Sequence, residues 1–331
     1  MKIYQNIYKQ IISLENLFLA WERFRKDKRN RKDVMLFEYK IEENVLDLYR
    51  ELKNQTYKHG HYTDFYITDP KPRHIHKALI RDRIVHHAVF NILNPIFEKT
   101  FIYNSYSCRK KKGTHKGVEK LKMLLRKISK NNTAPCFVLK CDIRKFFKSI
   151  DHKILLQIIQ RKIKDPNAIN LIKEIVVGFN SGLPIGNLTS QLFANIYLNE
   201  LDQFIKHRLK IPFYLRYTDD FVIISNSVQE IPIQLNKIKD FLWANLKLEM
   251  HPAKISVRKY HQGTDFLGYV QFPYHRILRK KTEKRIVNKI QKGVSKQSLN
   301  SYLGVLSHAN SYKLSQKIKN IFWFNKKENP L

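Results

Sequence analysis

The stretch Leu215-Arg216-Tyr217-Thr218-Asp219-Asp220-Phe221-Val222-Ile223-Ile224-Ser225 places two adjacent carboxylates between two apolar runs. Apolar runs rich in β-branched and aromatic residues predict buried strands, so the two acids would lie at the tip of a hairpin. Carboxylates beside buried strands are costly unless a cation meets them, and a divalent metal ion is a common partner. An isolated Asp-Asp pair is more often a solvated turn, and both interpretations stay open at this point.

The charge of the chain is far from balanced. Its 331 residues include 62 Lys and Arg against 28 Asp and Glu, a formal net charge of +34. Because the basic residues are spread along the whole chain, we expect a polyanionic partner, with nucleic acid as the leading class. An anionic membrane is the weaker explanation, since no segment has the length and apolarity of a spanning helix. The hydrophobic fraction of 43% predicts a folded protein.

Cysteine usage bears on the compartment. The three cysteines, Cys108, Cys136 and Cys141, lack zinc-like spacing and are too few for a disulfide framework. No signal peptide is visible at the start of the sequence. We therefore predict a reduced, cytoplasmic protein.

A third acid and a glycine-rich loop precede the hairpin. Residues 137–143 predict a short strand that carries Asp142 near its end. Residues 178–191 form the most glycine-dense stretch and lead into a helix, which lets main chain approach a ligand closely. Taken alone, Asp142 would be interpreted as a helix cap or surface acid, and the loop as a connector.

Several basic segments suit nucleic acid. Residues 23–32 are either a solvated loop or a phosphate-contacting one. In residues 69–89 the prolines predict an extended entry, the pattern turns helical after Arg81, and cations gather at the junction. The adjacent His86 and His87 would point apart on a helix, which favours packed or surface roles over a metal site. Residues 101–117 mix aromatic and basic side chains, as in single-strand binding surfaces.

The remaining periodicity predicts further elements. We predict helices at 2–24, 41–52, 118–128, 154–163 and 231–246, a strand entered at Lys254, a strand at 266–270, helix from Arg276 onward and a helical hairpin at 299–312.

The order of these motifs resembles that of a polymerase palm. Tyr217-Thr218-Asp219-Asp220 resembles the Tyr-x-Asp-Asp box of reverse transcriptases, and Asp142-Ile143-Arg144-Lys145-Phe146-Phe147 resembles their first aspartate motif. Residues 72–83 resemble the fingers motif of the group II intron-like bacterial lineage, residues 248–256 the lysine-bearing motif, 266–269 the "FLG" primer-grip strand and 301–304 the thumb. The resemblance implies an α+β right-hand polymerase, with an N-terminal extension and fingers at 1–130, a palm at 131–275 that includes fingers helices at about 153–178, and a helical thumb at 276–331.

The resemblance also implies functional residues and ligands. It implies catalysis by Asp142, Asp219 and Asp220, and two Mg²⁺ ions, replaceable by Mn²⁺, held by these residues together with Ile143. Phe147 would pack under the nucleotide sugar and exclude a 2′-hydroxyl, while Lys254 is either near the triphosphate or a plain surface lysine. The implied dNTP-binding residues are Arg73, Arg81, Arg83, Phe147, Ile185, Gly186, Gln191 and Lys254. The implied nucleic-acid-binding residues are Arg109, Lys110, Lys111, Lys112, Phe266, Leu267, Gly268, Arg279, Lys280 and Lys281.

One motif resembles a particular subgroup. Most reverse transcriptases have Gln-Gly-x-x-x-Ser-Pro before the palm helix, where this chain has Ile185-Gly186-Asn187-Leu188-Thr189-Ser190-Gln191. This pattern resembles the reverse transcriptases of diversity-generating retroelements, which copy a template RNA into cDNA mutated mainly at adenines and work with a small basic accessory protein. Ile185 has no polar atom to offer an incoming nucleotide, and a lost polar contact weakens discrimination between substrates. The implied partners are template RNA, an RNA–DNA duplex, dNTPs and that accessory protein, in a bacterial or phage-encoded context without a membrane.

The sequence departs from the family motifs at two places, and several alternative functions stay open. Lys148 stands where group II relatives often carry Asp, and Arg73-His74-Ile75-His76-Lys77 replaces their commoner fingers sequence, so the cation that meets the triphosphate is open. A group II intron-like, retron-type or antiviral reverse transcriptase would lack adenine bias. A catalytically silent RNA-binding protein on the same scaffold would need a damaged set of acids, whereas all three are present.

Overall fold

The computed structural model describes residues 2–69 and 71–328. Pro70, one of the prolines predicted to impose an extended entry, lies outside the described residues. The helices are α1 (Tyr8–Ile12), α2 (Leu14–Arg25), α3 (Lys32–Tyr39), α4 (Ile41–Lys53), α5 (Ile80–Glu98), α6 (Thr114–Ile128), α7 (Phe146–Ser149), α8 (His152–Gln160), α9 (Pro166–Val177), α10 (Leu188–Gln203), α11 (Glu230–Leu246), α12 (Lys280–Gln291), α13 (Lys296–Leu306) and α14 (Tyr312–Glu328). The strands are β1 (Tyr62–Ile67), β2 (Arg73–Ala78), β3 (Phe137–Asp142), β4 (Tyr214–Tyr217), β5 (Asp220–Ser225), β6 (Ser256–Lys259), β7 (Thr264–Phe266), β8 (Tyr269–Gln271) and β9 (Arg276–Leu278).

The chain folds into two compact units, each assembled from separate segments. Unit 1 comprises Met1–Tyr103, Ile143–Lys210 and Asn236–Pro252, and unit 2 comprises Asn104–Asp142, Ile211–Leu235 and Ala253–Leu331. The division into fingers, palm and thumb stays a prediction.

Unit 1 is mainly helical and begins with a broken helix. The single helix predicted over 2–24 is wrong, because the chain leaves helical geometry at Ser13, whose ψ is 141°. The Ser13 hydroxyl accepts a hydrogen bond from the Asn16 amide at 3.2 Å and so caps α2. Apolar side chains of α2 and α5, such as Leu17 and Val89, are fully buried in the core of this unit.

A two-stranded hairpin also belongs to unit 1. Strands β1 and β2 pair antiparallel, with Tyr62 opposite Ala78 and Ile67 opposite Arg73. The sequence predicted only the extended entry at β2. Strand β1 was missed because its mostly exposed residues, including Phe65 and Tyr66, lack the apolar alternation of a half-buried strand.

Unit 2 contains the predicted acidic hairpin. Its main sheet is antiparallel in the order β4-β5-β3-β6, with the apolar residues of β5 fully or nearly fully buried. Helix α6 covers the sheet, and Leu121 and Leu125 pack in one core with Leu215 and Val222. The predicted α+β class with a buried hairpin is confirmed.

The C-terminal part of unit 2 corrects two predictions. The single strand predicted at 266–270 is wrong, because Leu267 (φ 51°) and Gly268 (φ 90°) form a turn between β7 and β8. The helix predicted from Arg276 is also wrong at its start: Arg276 lies in β9, opposite Gln271. Its guanidinium pairs with Glu119 at 2.6 Å, a long-range contact that fixes the strand. The predicted hairpin at 299–312 lies within a larger one formed by α13 and α14, which pack with α12 around Ile290 and Ile318.

In the part of the chain that the structure describes, no helix is both long and apolar enough to cross a bilayer.

Candidate active site

Two of the three predicted catalytic acids face each other across neighbouring strands of unit 2. Asp142 ends β3 directly opposite Asp220, the first residue of β5. Asp220 also pairs with Tyr217 of β4, so Thr218 and Asp219 form a two-residue turn. The apolar segments before and after the acids bury both strands and thereby fix this register. Asp142 thus lies at the same end of these strands as the Asp219-Asp220 turn, although it precedes that pair by 77 positions.

Asp220 carries a charge that the surrounding protein compensates only in part. Its side chain is 22% exposed, and Lys140 Nζ lies 3.6 Å from Oδ2. The other oxygen, Oδ1, is buried and has no hydrogen-bond partner among the described residues. Burial raises the pKa of Asp220 to about 7, Lys140 opposes the rise, and Asp142 and Asp219 add to it. Asp220 therefore lacks a positive partner on one of its two oxygens.

Asp142 already has a cationic partner. Lys254 Nζ donates a hydrogen bond to its Oδ1 at 2.8 Å. Lys254 ends a short 3-10 turn just before β6 and keeps a side-chain exposure of 46%. Lys254 thus contacts a candidate catalytic acid, and whether it lies near the triphosphate or is a plain surface lysine stays a prediction.

The donor chemistry of this cluster fits a hard divalent cation. Carboxylate oxygens are the ligands that Mg²⁺ and Mn²⁺ prefer. The buried Oδ1 of Asp220 has no hydrogen-bond partner among the described residues, so a cation could bind to it. Ile143 has an apolar, buried side chain, so only its main-chain carbonyl could act as a ligand. Within the described residues, no group of three or more His, Cys, Asp or Glu side chains is already arranged around a common metal position. The lysines supply the positive charge in this arrangement.

Unit 1 holds the glycine-rich loop against two other segments. The Leu183 amide donates to the Phe147 carbonyl at 2.7 Å, and the His76 amide donates to the Ile185 carbonyl at 3.1 Å. Gly186 has φ 124°, and a Cβ there would lie 3.1 Å from Ile75. Phe147 and Ile185, both partly exposed, are therefore linked through one loop, and their contact with a nucleotide stays a prediction. Gln191 follows on α10 and is also partly exposed.

The three candidate arginines of the fingers motif have different surroundings. Arg73 is exposed at the start of β2. Arg81 forms an ion pair with Glu51 and lies over the ring of Tyr57 at 5.6 Å. Arg83 lies over the ring of Phe24 at 4.7 Å. Arg81 and Arg83 thus stabilise the packing of unit 1, and Arg73 has the most accessible guanidinium.

His86 and His87 occupy packed positions, as predicted. His86 is 1% exposed and stacks on His59, whereas His87 packs edge-on against Phe24. Burial, with a smaller contribution from the nearby cations Lys28 and Arg83, lowers the pKa of His87 to about 4.

This depressed pKa predicts a pH-dependent stability. Because unfolded His87 binds a proton near pH 6.5 and folded His87 only near pH 4, stability falls as the pH is lowered between these values. At pH 5 the contribution is about 2 kcal/mol. Urea unfolding gives the decrease in the free energy of unfolding between pH 7.5 and pH 5. This decrease should be about 2 kcal/mol smaller in His87→Gln than in the wild type. The control His61→Gln, at an exposed position, should keep the wild-type difference, and an equal loss in His87→Gln would contradict the assignment.

The predicted nucleic-acid-binding residues are mostly on the surface of unit 2. Lys110, Lys111, Lys280 and Lys281 are exposed. Arg109 donates to the Ser105 carbonyl, Lys112 lies over the Tyr106 ring, and Arg279 pairs with Asp265. Phe266 is buried in the core, which leaves Leu267 and Gly268 as the accessible residues of that motif.

Lys140 is a site residue that the sequence prediction missed. It lies two residues before Asp142 on β3, and alternate residues of a strand share a face. The signal was therefore present as the spacing Lys-x-Asp at the end of an apolar strand.

Comparison with known proteins identifies the family. Residues 68–271 match the family described as "Reverse transcriptase (RNA-dependent DNA polymerase)". The chain belongs to the reverse transcriptase family. The matched region covers more than half of the 331 residues and contains the glycine-rich loop and all three acids.

Curated relatives of this family member include an intron-encoded protein and a retron reverse transcriptase. The chain is 26% identical over 256 residues to Protein YkfC of Escherichia coli (strain K12), across 64% of this chain and 65% of YkfC. It is 24% identical over 346 residues to the group II intron-encoded protein LtrA of Lactococcus lactis subsp. cremoris, across 81% of this chain and 57% of LtrA. It is 30% identical over 149 residues to the retron Ec73 reverse transcriptase of Escherichia coli, across 41% of this chain and 44% of the relative. The chain thus spans 65% of YkfC and 57% of LtrA.

A solved structure supports the predicted polymerase fold. This reverse transcriptase family member is similar, with a TM-score of 0.52, to telomerase from Candida albicans. That telomerase was solved in complex with a TWJ fragment of telomeric RNA. The likeness covers 83% of this chain and 57% of that chain at 11% sequence identity, so it concerns the fold alone.

Proposed function

We propose that this chain is an RNA-directed DNA polymerase that extends a primer on an RNA template. The observation that carries the proposal is the register of Asp142 opposite Asp220, with a buried carboxylate oxygen of Asp220 left without a hydrogen-bond partner among the described residues. A structural turn has no need of such an arrangement, because an uncompensated buried carboxylate is costly.

The proposed roles follow from the donor atoms. Asp142, Asp219 and Asp220, with the Ile143 carbonyl, would hold two Mg²⁺ ions, or Mn²⁺ in their place. Bound there, the ions would activate the primer 3′-hydroxyl and neutralise the triphosphate and the leaving pyrophosphate. Lys140 and Lys254 pair with Asp220 and Asp142, and Lys254, whose side chain is 46% exposed, would also contact a bound triphosphate. A chain that extends no primed RNA template with dNTPs and Mg²⁺, with or without an accessory protein, would contradict the proposal.

Residues of unit 1 would bind the incoming nucleotide. Phe147 would pack under the sugar and exclude a 2′-hydroxyl, while Ile185, Gly186 and Gln191 would line the base-pair side. Among the fingers arginines, Arg73 is the strongest candidate for the triphosphate because Arg81 and Arg83 are engaged with Glu51 and Phe24.

The basic surface would bind the RNA–DNA duplex through its backbone. The net charge of +34 and the exposed lysines of α12, including Lys280 and Lys281, supply counterions to phosphates. Affinity should consequently fall steeply as salt rises. A small basic accessory protein would be a further partner. Primer extension that occurs only after this protein is added would identify it.

Within the family we propose the role found in diversity-generating retroelements, namely cDNA synthesis that is error-prone at template adenines. The support is the aliphatic Ile185, whose main chain is held against β2 and whose side chain offers no polar atom. A group II intron-like or retron-type enzyme is the second candidate, because relatives of both kinds are similar in sequence to this chain. Adenine bias distinguishes the two roles.

Replacing Ile185 tests that bias directly. Ile185→Gln restores a polar group near the nucleotide and should lower substitutions opposite template adenine about tenfold, with little change at the other bases. The matched control Ile185→Leu keeps the aliphatic character and should keep the bias. Sequencing the cDNA provides the count. Equal error rates at all four template bases in the wild type would favour the group II or retron role.

A further inference from the structure

The turn that carries the catalytic acids contains a residue in an unfavourable conformation. Thr218 has φ 54°, in the left-handed region that β-branched residues rarely adopt. It is the first of the two residues between β4 and β5, a position at which tight hairpins favour glycine. A threonine stays in this conformation only when surrounding contacts hold it.

Two side chains hold Thr218 from different directions. Arg216, which is fully buried, donates from Nη1 to the Thr218 carbonyl at 3.0 Å. The Thr218 hydroxyl donates to Ser107 Oγ at 2.6 Å, and Ser107 is 3% exposed. One contact fixes the main chain and the other fixes the side chain, so both ends of the strained residue are restrained.

Ser107 is itself fixed by main-chain pairing. The Arg216 amide donates to the Asn104 carbonyl, and the Tyr106 amide donates to the Arg216 carbonyl, each at 3.0 Å. Residues 104–106 therefore pair with Arg216 of β4 in an isolated parallel bridge and bring Ser107 within hydrogen-bond distance of Thr218. Main-chain pairing with β4 therefore sets the position of the Ser107 hydroxyl.

We propose that Ser107 and Arg216 are positioning residues that hold Thr218 in its left-handed conformation and thereby aim Asp219 and Asp220 at Asp142. The assignment rests on the proposed polymerase function. Each residue acts through Thr218. A chain with glycine at 218 would need no such support, because glycine adopts positive φ without cost.

A double-mutant cycle tests this assignment. Ser107→Ala should lower kcat for nucleotide addition about tenfold, since a small displacement of reacting groups is enough for such a loss. KM for dNTP should stay within about twofold and the melting temperature within about 2 °C, because the partly exposed Thr218 hydroxyl can bond to water instead. Mn²⁺ titration followed by electron paramagnetic resonance should show weaker binding. In a Thr218→Gly background, Ser107→Ala should change neither kcat nor Mn²⁺ affinity.

A neighbouring serine provides the matched control. Ser105 lies two residues away in the same segment, and its buried Oγ has no hydrogen-bond partner among the described residues. Ser105→Ala should therefore leave kcat and Mn²⁺ affinity unchanged. Full activity and Mn²⁺ affinity in Ser107→Ala, or an undiminished effect of Ser107→Ala beside Thr218→Gly, would overturn the assignment. Failure of the wild type to extend any primer would overturn the proposed function instead, and the Mn²⁺ titration would still test the support of the turn.

Discussion

Asp220→Asn should reduce primer extension by about 1,000-fold or more while making the metal-free protein more stable. Extension should fail because the amide cannot replace a charged metal ligand. Stability should rise because the substitution removes a buried negative charge whose Oδ1 has no hydrogen-bond partner among the described residues. The expected gain at pH 8 is about 1–3 kcal/mol. An activity loss joined to a stability gain is the signature of a residue kept for function.

The pH dependence of this stability gain has a defined sign. The pKa of Asp220 is about 7 in the folded chain, above its ordinary value of 3.8, so the folded state binds the proton more tightly than the unfolded state. Without metal, wild-type stability should therefore fall as the pH rises from about 4 to 7. Asp220→Asn should remove this component, so its stability gain should be larger at pH 8 than at pH 5.

Urea unfolding with and without Mg²⁺, together with extension of a primed RNA template, measures both effects. Asp240→Asn, at an exposed position on α11, is the matched control and should alter neither quantity. Unchanged extension after joint replacement of Asp219 and Asp220 by alanine would show that catalysis occurs elsewhere. A loss of stability in Asp220→Asn would show that Lys140 more than compensates the buried charge.

Gly182→Ala should destabilise the protein by about 3 kcal/mol or more. Gly182 has φ 66°, and a Cβ there would lie 2.2 Å from the Phe147 carbonyl oxygen and 2.6 Å from the Lys148 Cα. Both are main-chain atoms, so the clash cannot be relieved by a side-chain rotation. His152 Nε2 lies 2.6 Å from the Gly182 carbonyl oxygen and restrains the loop from the other side.

A second glycine separates the two causes of this loss. Gly293 has φ 84°, but nothing lies within 4 Å of a Cβ placed there. Gly293→Ala should consequently cost only the conformational penalty, about 1 kcal/mol. Equal losses in the two variants, measured by urea unfolding, would mean that the contact with Phe147 does not matter. If Gly182→Ala folds at all, its displaced Phe147 should also weaken the preference for dNTPs over NTPs.

Many elements of unit 2 were predictable because short-range patterns of apolar residues indicate them. The apolar runs around Asp219-Asp220 and before Asp142 predicted strands, and these strands form with the acids at their ends. Positive φ at Leu267 and the position of Arg276 in β9 were missed, because the first depends on turn geometry and the second on a long-range ion pair between buried Arg276 and half-exposed Glu119. Local periodicity contains neither kind of information.

The sequence alone determined the order of the acids, the glycine-rich loop, the basic surface and the family resemblance, since each follows from residues close together in the chain. Only the tertiary structure decided which cations meet which acids. Lys254 reaches Asp142 across 112 positions, and Arg81 pairs with Glu51 instead of remaining available to a ligand. It likewise brought the Ser107 hydroxyl within hydrogen-bond distance of Thr218, 111 positions away, in the turn between β4 and β5. Such contacts depend on how strands and helices pack, which short-range sequence patterns do not specify.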